Sequence, residues 1–239
     1  MRHWINYAGQ DLKDFGVYIS GSGTFDAPER DVKTVAIPGR NGELTLDNGR
    51  YKNIKVKYPA FIYKEFANNA EGLREWLLSQ KGYQRLEDTY NPDEYRLARY
   101  SGGFNVKPLD ELVAGNFDLV FDCKPQRFLK SGEEYMSVSN GDQLLNPTLM
   151  TALPLLYVSI AGGGTHSVQI NSDTVTIGAM GGVIIDCELQ EAYSSLDPTL
   201  NFNQYITLSN GKFPSLVAGV NSIAIVNCTL QIMPRWWRL

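Results

Sequence analysis

Histidine and cysteine are scarce in this chain, two of the first and three of the second in 239 residues. His3 stands near the start and His166 follows a glycine run, so no catalytic triad, HExxH helix or His-Cys zinc set can be assembled at a recognisable spacing. Cys123, Cys187 and Cys228 are odd in number and far apart, with no CxxC. Apolar neighbours such as Val120-Phe121 and Ile184-Ile185 flank the first two, and all three read as reduced thiols, with these two buried. Cationic excess is missing as well. Twenty-two Lys and Arg oppose 26 Asp and Glu, a net charge of -4, which leaves no electrostatic grip on phosphate backbones or anionic membranes. The longest apolar run, Leu149 to Ala161, is broken by Thr151, Pro154 and Ser159 and falls short of the about 20 residues that a bilayer span takes. Met1-Arg2-His3-Trp4-Ile5 lacks the apolar core of a signal peptide, so the expectation is a product made and retained in the cytosol, or leaving it by a route other than secretion, without membrane insertion.

What is abundant is alternation. Ile54, Val56 and Tyr58 alternate with Lys55 and Lys57; Phe117, Leu119 and Phe121 with Asp118, Val120 and Asp122; Tyr95 and Leu97 with Arg96 and Arg99. Each stretch reads as a half-buried strand. Tyr83 to Thr89 and Tyr95 to Ser101 read as the arms of a long hairpin about Asn91-Pro92-Asp93, where proline presets the turn and Asp93 caps it. One segment follows a helical period. Asn69 as cap, Glu71 in the first turn, the stripe Leu73, Trp76, Leu77, and the stop Lys81-Gly82 predict an amphipathic helix buried on a sheet.

Beyond Cys123-Lys124-Pro125 the chain turns polar, and the organisation predicted is two domains, 1-132 and 133-239. The fold class is mainly β: an α+β first domain with one helix and the hairpin, then a β-sandwich of short strands. These strands include Leu155 to Ile160, Ser167 to Ile170, Thr174 to Ile177, Val183 to Glu188, Ser222 to Val226 and Thr229 to Met233.

Chemistry-bearing patterns are few. Gly162-Gly163-Gly164-Thr165-His166 lacks the Lys-Ser/Thr pair and following helix of a phosphate cradle, and reads as a hairpin turn, like Gly178 with Gly181-Gly182. No GxSxG elbow occurs. Asp118 with Asp122, and Asp186 with Glu188, share a strand face as a glycosidase pair would, but a solvated outer face explains both. No enzyme activity, cofactor or metal is expected. With 4 Trp, 13 Tyr and 10 Phe, the sandwich has rings to offer a sugar; of the adjacent Trp236 and Trp237, one at most can enter its core.

Several segments, in order, resemble one family. Asp14-Phe15-Gly16-Val17-Tyr18-Ile19-Ser20, Ala27-Pro28-Glu29-Arg30-Asp31-Val32 and Ile37-Pro38-Gly39-Arg40-Asn41-Gly42-Glu43-Leu44 are similar to the opening of distal tail proteins of long-tailed, non-contractile phages. Asn146-Pro147 with Ala152-Leu153-Pro154 is similar to the entry to that family's second domain. Gly211 to Ile223 and Pro234-Arg235-Trp236-Trp237-Arg238 are similar to its close. The resemblance implies a tube-like, ring-forming first domain and a galectin-like sandwich. It also implies a hexameric ring, single or stacked in two, at the virion tail tip, assembled in the bacterial cytoplasm. Its partners would be the tail tube protein, the tail-associated fibre or lysin protein and the receptor-binding apparatus, with DNA passing the lumen without specific binding. Pro38, Gly39, Arg40, Asn41 and Gly42 are the candidate ring contact, because a fixed turn presents the planar Arg40 donor. A carbohydrate-binding adsorption module contacting host cell-wall saccharides is the alternative.

Overall fold

The computed structural model describes residues 2–20, 26–63, 65–109 and 114–239. The chain is mainly β, and it divides into two compact units, one running through Arg127 and including Leu239, the other Phe128–Arg238. In the first unit the strands lie in the order Gln10–Asp11, Ile5–Tyr7, Gln84–Asp88, Glu94–Tyr100, Ala114–Leu129, Ile54–Tyr63, Val17–Ile19. Its centre is the antiparallel pairing of Ile54–Tyr63 with Ala114–Leu129, in register from Ile54↔Cys123 to Tyr63↔Ala114. The two-residue period then sorts the side chains. Val56, Tyr58, Ala60 and Ile62 with Phe117, Leu119, Phe121 and Cys123 are buried on one face, while Lys55, Lys57, Pro59, Asn116 and Asp118 stand on the other.

The buried face is covered by helix α1, Phe66–Ser79, through Phe66, Leu73 and Leu77. Trp76 is only partly buried, edge-on to Tyr7 at 5.8 Å and tilted on Phe15 at 5.8 Å. The helix starts earlier than its predicted cap. Phe66 joins the core and the Asn69 N–H closes on the Glu65 carbonyl at 3.0 Å, so Asn69 lies inside the first turn. The predicted hairpin exists with arms Gln84–Asp88 and Glu94–Tyr100, but Asp88 caps its turn rather than Asp93: Oδ1 of Asp88 accepts from the N–H groups of Tyr90 and Asn91, both at 2.9 Å. Its second arm is also reversed, since Glu94, Arg96 and Ala98 face inward and Tyr95 and Leu97 outward. Burial lowers the Arg96 pKa, with Tyr58 and Asp88 nearby holding it up.

The second unit is two five-stranded sheets around one core. Met136–Val138, Thr229–Met233, Leu155–Ile160, Gly181–Asp186 and Glu191–Ser194 form one; Gln143–Asn146, Gly219–Val226, His166–Ile170, Asp173–Ile177 and Ile206–Leu208 form the other. Both glycine clusters were expected to be hairpin turns, and neither is. Gly162 to Gly164 joins Leu155–Ile160 to His166–Ile170, and Gly178 to Gly182 joins Asp173–Ile177 to Gly181–Asp186, in each case from one sheet to the other. Asn221, fully buried, ties the Gly219–Val226 strand down: its Nδ2 donates to the carbonyls of Val217 and Gly219 at 2.9 and 3.0 Å, and its Oδ1 accepts from the Val217 N–H at 2.8 Å.

Candidate assembly interface

Among the described residues, one two-stranded element of the first unit stands outside its large sheet. Arg30–Ala36 and Glu43–Tyr51 pair, among the described residues, only with each other, a two-stranded antiparallel ribbon apart from the large sheet. Nearly every residue along it is exposed. Its register makes it amphipathic. Val35 lies opposite Leu44 and Lys33 opposite Leu46, so these share a face, whereas Val32 opposite Asp47, Thr34 opposite Thr45 and Ala36 opposite Glu43 share the other. Val35, Leu44 and Leu46 are 38%, 45% and 48% exposed, and Ile37 at the end of the strand 38%. Lone aliphatic residues on a surface are ordinary, whereas an aliphatic stripe along an isolated ribbon is a candidate contact surface.

The predicted contact residues Pro38, Gly39, Arg40, Asn41 and Gly42 form the tip of this arm. The Arg40 N–H closes on the Ile37 carbonyl at 3.1 Å, across Pro38 and Gly39. Gly39 has φ +79°, so proline second and glycine third suit a type II turn. Among the described residues the side chains of Arg40 and Glu43 have no ion-pair partner. The flanks are different. Arg30 meets Asp47 at 2.7 Å, Arg50 meets Asp31 at 2.6 Å, and Arg30 lies over the Tyr51 ring. The Gly49 N–H and then Arg30 hold the Asp47 carboxyl below its usual range, and Arg50 does the same for Asp31. Such exposed pairs add little stability. The apolar stripe escaped the sequence reading, although Val35, Leu44 and Leu46 do alternate with polar neighbours.

The other candidates resolve into structural contacts. Asp118 pairs with Lys57 at 2.7 Å and Asp122 with Arg99 at 2.7 Å on the open sheet face. Asp186 departs from the solvated-face reading: it is 3% exposed, and Arg235 covers it. Trp236 is in the core of the second unit, and Trp237 packs beside that core with Nε1 donating to the Thr151 carbonyl at 3.0 Å, so neither indole lies open as a sugar platform. Leu239 belongs with the first unit, its carbonyl oxygen accepting from Arg127 Nη2 at 2.6 Å. Among the described residues no group of three or more His, Cys, Asp or Glu is placed to hold a metal, and no helix is long and apolar enough to cross a membrane.

No protein-family model and no curated protein matches this chain. Solved structures do. The distal tail protein (Dit) of phage SPP1, described as a paradigm of the hub adsorption apparatus of phages that infect Gram-positive bacteria, superposes with a TM-score of 0.75 at 13% identity, over 96% of this chain and 97% of that one. A chain of the phage P2 baseplate in its activated conformation with Ca gives 0.50 at 9% identity, over 97% of each. Across both units, this chain therefore has the fold of the SPP1 distal tail protein.

Proposed function

We propose that the chain is a structural hub of a phage tail tip, assembled as a hexameric ring, single or stacked in two. In this role it joins the tail tube to the tail-associated fibre protein and the host-adsorption apparatus. The first unit builds the ring and the second, a galectin-like sandwich, faces outward. The chain acts in the virion without catalysis, after assembly in the bacterial cytoplasm, and DNA passes the lumen without specific binding.

The observation that carries this reading is the unpartnered arm. A two-stranded ribbon is marginal in water by itself, so an amphipathic one held clear of its own core calls for cover from another chain. The likeness in fold to a phage hub protein supports the kind of assembly, and the turn at Pro38 to Gly42, with Arg40 unpaired at its tip, supports this arm as the ring contact. Light scattering on the full chain tests it. A hexamer or a pair of hexamers is expected, and a monomer once Arg30–Tyr51 is replaced by a short Gly-Ser turn. A monomeric parent chain at assembly concentrations overturns the proposal.

A further inference from the structure

Asparagine precedes glycine at four places, Asn41-Gly42, Asn48-Gly49, Asn140-Gly141 and Asn210-Gly211, and all of these residues are exposed. With no Cβ on the second residue, little shields its backbone nitrogen from the asparagine side chain before it. At three of the steps hydrogen bonds occupy these two groups. The Gly49 N–H donates to Asp47 Oδ1 at 2.8 Å. The Gly141 N–H donates to the Ile223 carbonyl at 2.9 Å, while Asn140 Oδ1 accepts from the Ile225 N–H at 2.9 Å. Asn210 Nδ2 donates to Asp173 Oδ1 at 3.0 Å and to the Ser172 carbonyl at 3.3 Å, and the Gly211 N–H to the Leu208 carbonyl at 3.3 Å. The remaining step is different. Among the described residues neither the Asn41 side chain nor the Gly42 N–H has a hydrogen-bond partner.

We propose that Asn41-Gly42 is a self-modifying step, the first asparagine of the native chain to lose its amide. The Gly42 backbone nitrogen gives up its proton and attacks Asn41 Cγ. The N–Cγ bond forms, the Cγ–Nδ2 bond breaks, and ammonia leaves with that proton, closing a succinimide ring. Water then opens the ring. Addition at Cγ gives aspartate, and addition at the backbone carbonyl carbon of residue 41 gives isoaspartate, in which the chain runs through the former side chain. Overall one water is consumed and one ammonia released, and nothing is oxidised or reduced. The new carboxylate stands next to Arg40 in sequence, so a tip that carried one cation and one anion, Arg40 and Glu43, becomes net negative. The isoaspartate form also lengthens the backbone of the turn by one carbon. In the hub proposed above this turn is the ring contact, so the reaction would mark chains that wait unassembled; that consequence alone rests on the hub reading.

The test ages the full chain in neutral to mildly alkaline buffer and reads each asparagine by peptide mass mapping, with isoaspartate counted by enzymatic methylation. Asn41 should convert at least about fivefold faster than Asn48, Asn140 or Asn210, because a hydrogen bond that must open first slows each of those by that factor. In guanidinium the four should draw level, since each is then an open Asn-Gly step. Asn41→Gln should abolish the fast conversion and leave the slow ones unchanged. Conversion at Asn41 no faster than at the other three in the native chain, or the same ranking in guanidinium as in buffer, overturns the assignment. Neither result touches the hub reading, which stands or falls by the mass of the assembled chain.

Discussion

Arg235 grips Asp186 with both ends of its guanidinium, Nη1 to Oδ1 at 2.8 Å and Nη2 to Oδ2 at 2.9 Å, and so fastens the chain just before Trp236 to the end of the Gly181–Asp186 strand. The carboxylate is almost fully enclosed and also accepts from the N–H groups of Glu188 and Leu189, at 3.0 and 3.1 Å. Arg235→Ala should therefore leave a buried charge without its partner and cost the second unit about 3–5 kcal/mol, read as a shift of the urea midpoint. Arg235→Lys should recover little, since an ammonium cannot fork. Arg235→Gly should cost less than the alanine variant, because residue 235 has φ +55° and glycine is at ease there.

Acid should weaken the same contact. Burial pushes the Asp186 carboxyl up, but Arg235 and the two amides outweigh it and the net pKa is lowered. A carboxyl lowered on folding stabilises the native state above its unfolded value, about 3.9, and that contribution disappears as pH falls through the folded value. Urea midpoints measured from pH 6 downward should fall below pH 4 more steeply for the parent chain than for Asp186→Asn.

The helix contributes unequally along its stripe. Leu73 is fully enclosed, and Leu73→Ala should cost about 2–5 kcal/mol in denaturant unfolding. Trp76, partly exposed, should cost less per atom removed when cut to alanine, and its fluorescence should be partly quenched by acrylamide in the native protein.

Four glycines, Gly16, Gly115, Gly132 and Gly182, leave no room for a Cβ, and two of them make a comparison. A Cβ on Gly132 would lie 2.4 Å from the backbone nitrogen of Trp236, and one on Gly115 2.3 Å from the Phe66 ring. Gly132→Ala should destabilise by about 1–3 kcal/mol or more, as overpacking does, because backbone cannot step aside. Gly115→Ala should also destabilise, since its Cβ would lie 2.7 Å from Val106 Cγ1 and 3.1 Å from the Lys107 carbonyl besides the Phe66 ring, and thermal melts of the two variants give the comparison.

The thiols should be slow. Burial pushes Cys123 and Cys187 up to about 12, and raises Cys228, which is only partly enclosed. At pH 8 an aromatic disulfide reagent should modify Cys228 first and the other two only after denaturation.

Where burial made a pattern, the sequence could be read. Leu155–Ile160 and Thr229–Met233 fall where alternation put them, because each strand has one face in the core. Arg96 misled for the same reason, since a charged residue that points inward among Tyr58 and Asp88 looks like an outward one in the alternation. The helix began early because Phe66 is anchored by distant strands, which no local capping signal reports. The arm was visible only as its turn, since a ribbon exposed on both faces has no buried face to reveal it.

In the proposed ring, an arm that lies on the next copy makes a head-to-tail contact between two different surfaces, and such contacts do not limit themselves in number. What closes them is the fixed turn that each step makes, set in this reading at the ribbon's root, where Tyr51 runs through Asn53 into the Ile54–Tyr63 strand. The closed symmetry of the proposed hub is then a property of the ribbon's root rather than of its tip. Changing the root angle while leaving the arm itself intact would turn a closed ring into an open helical filament, with the same contacts repeated without end.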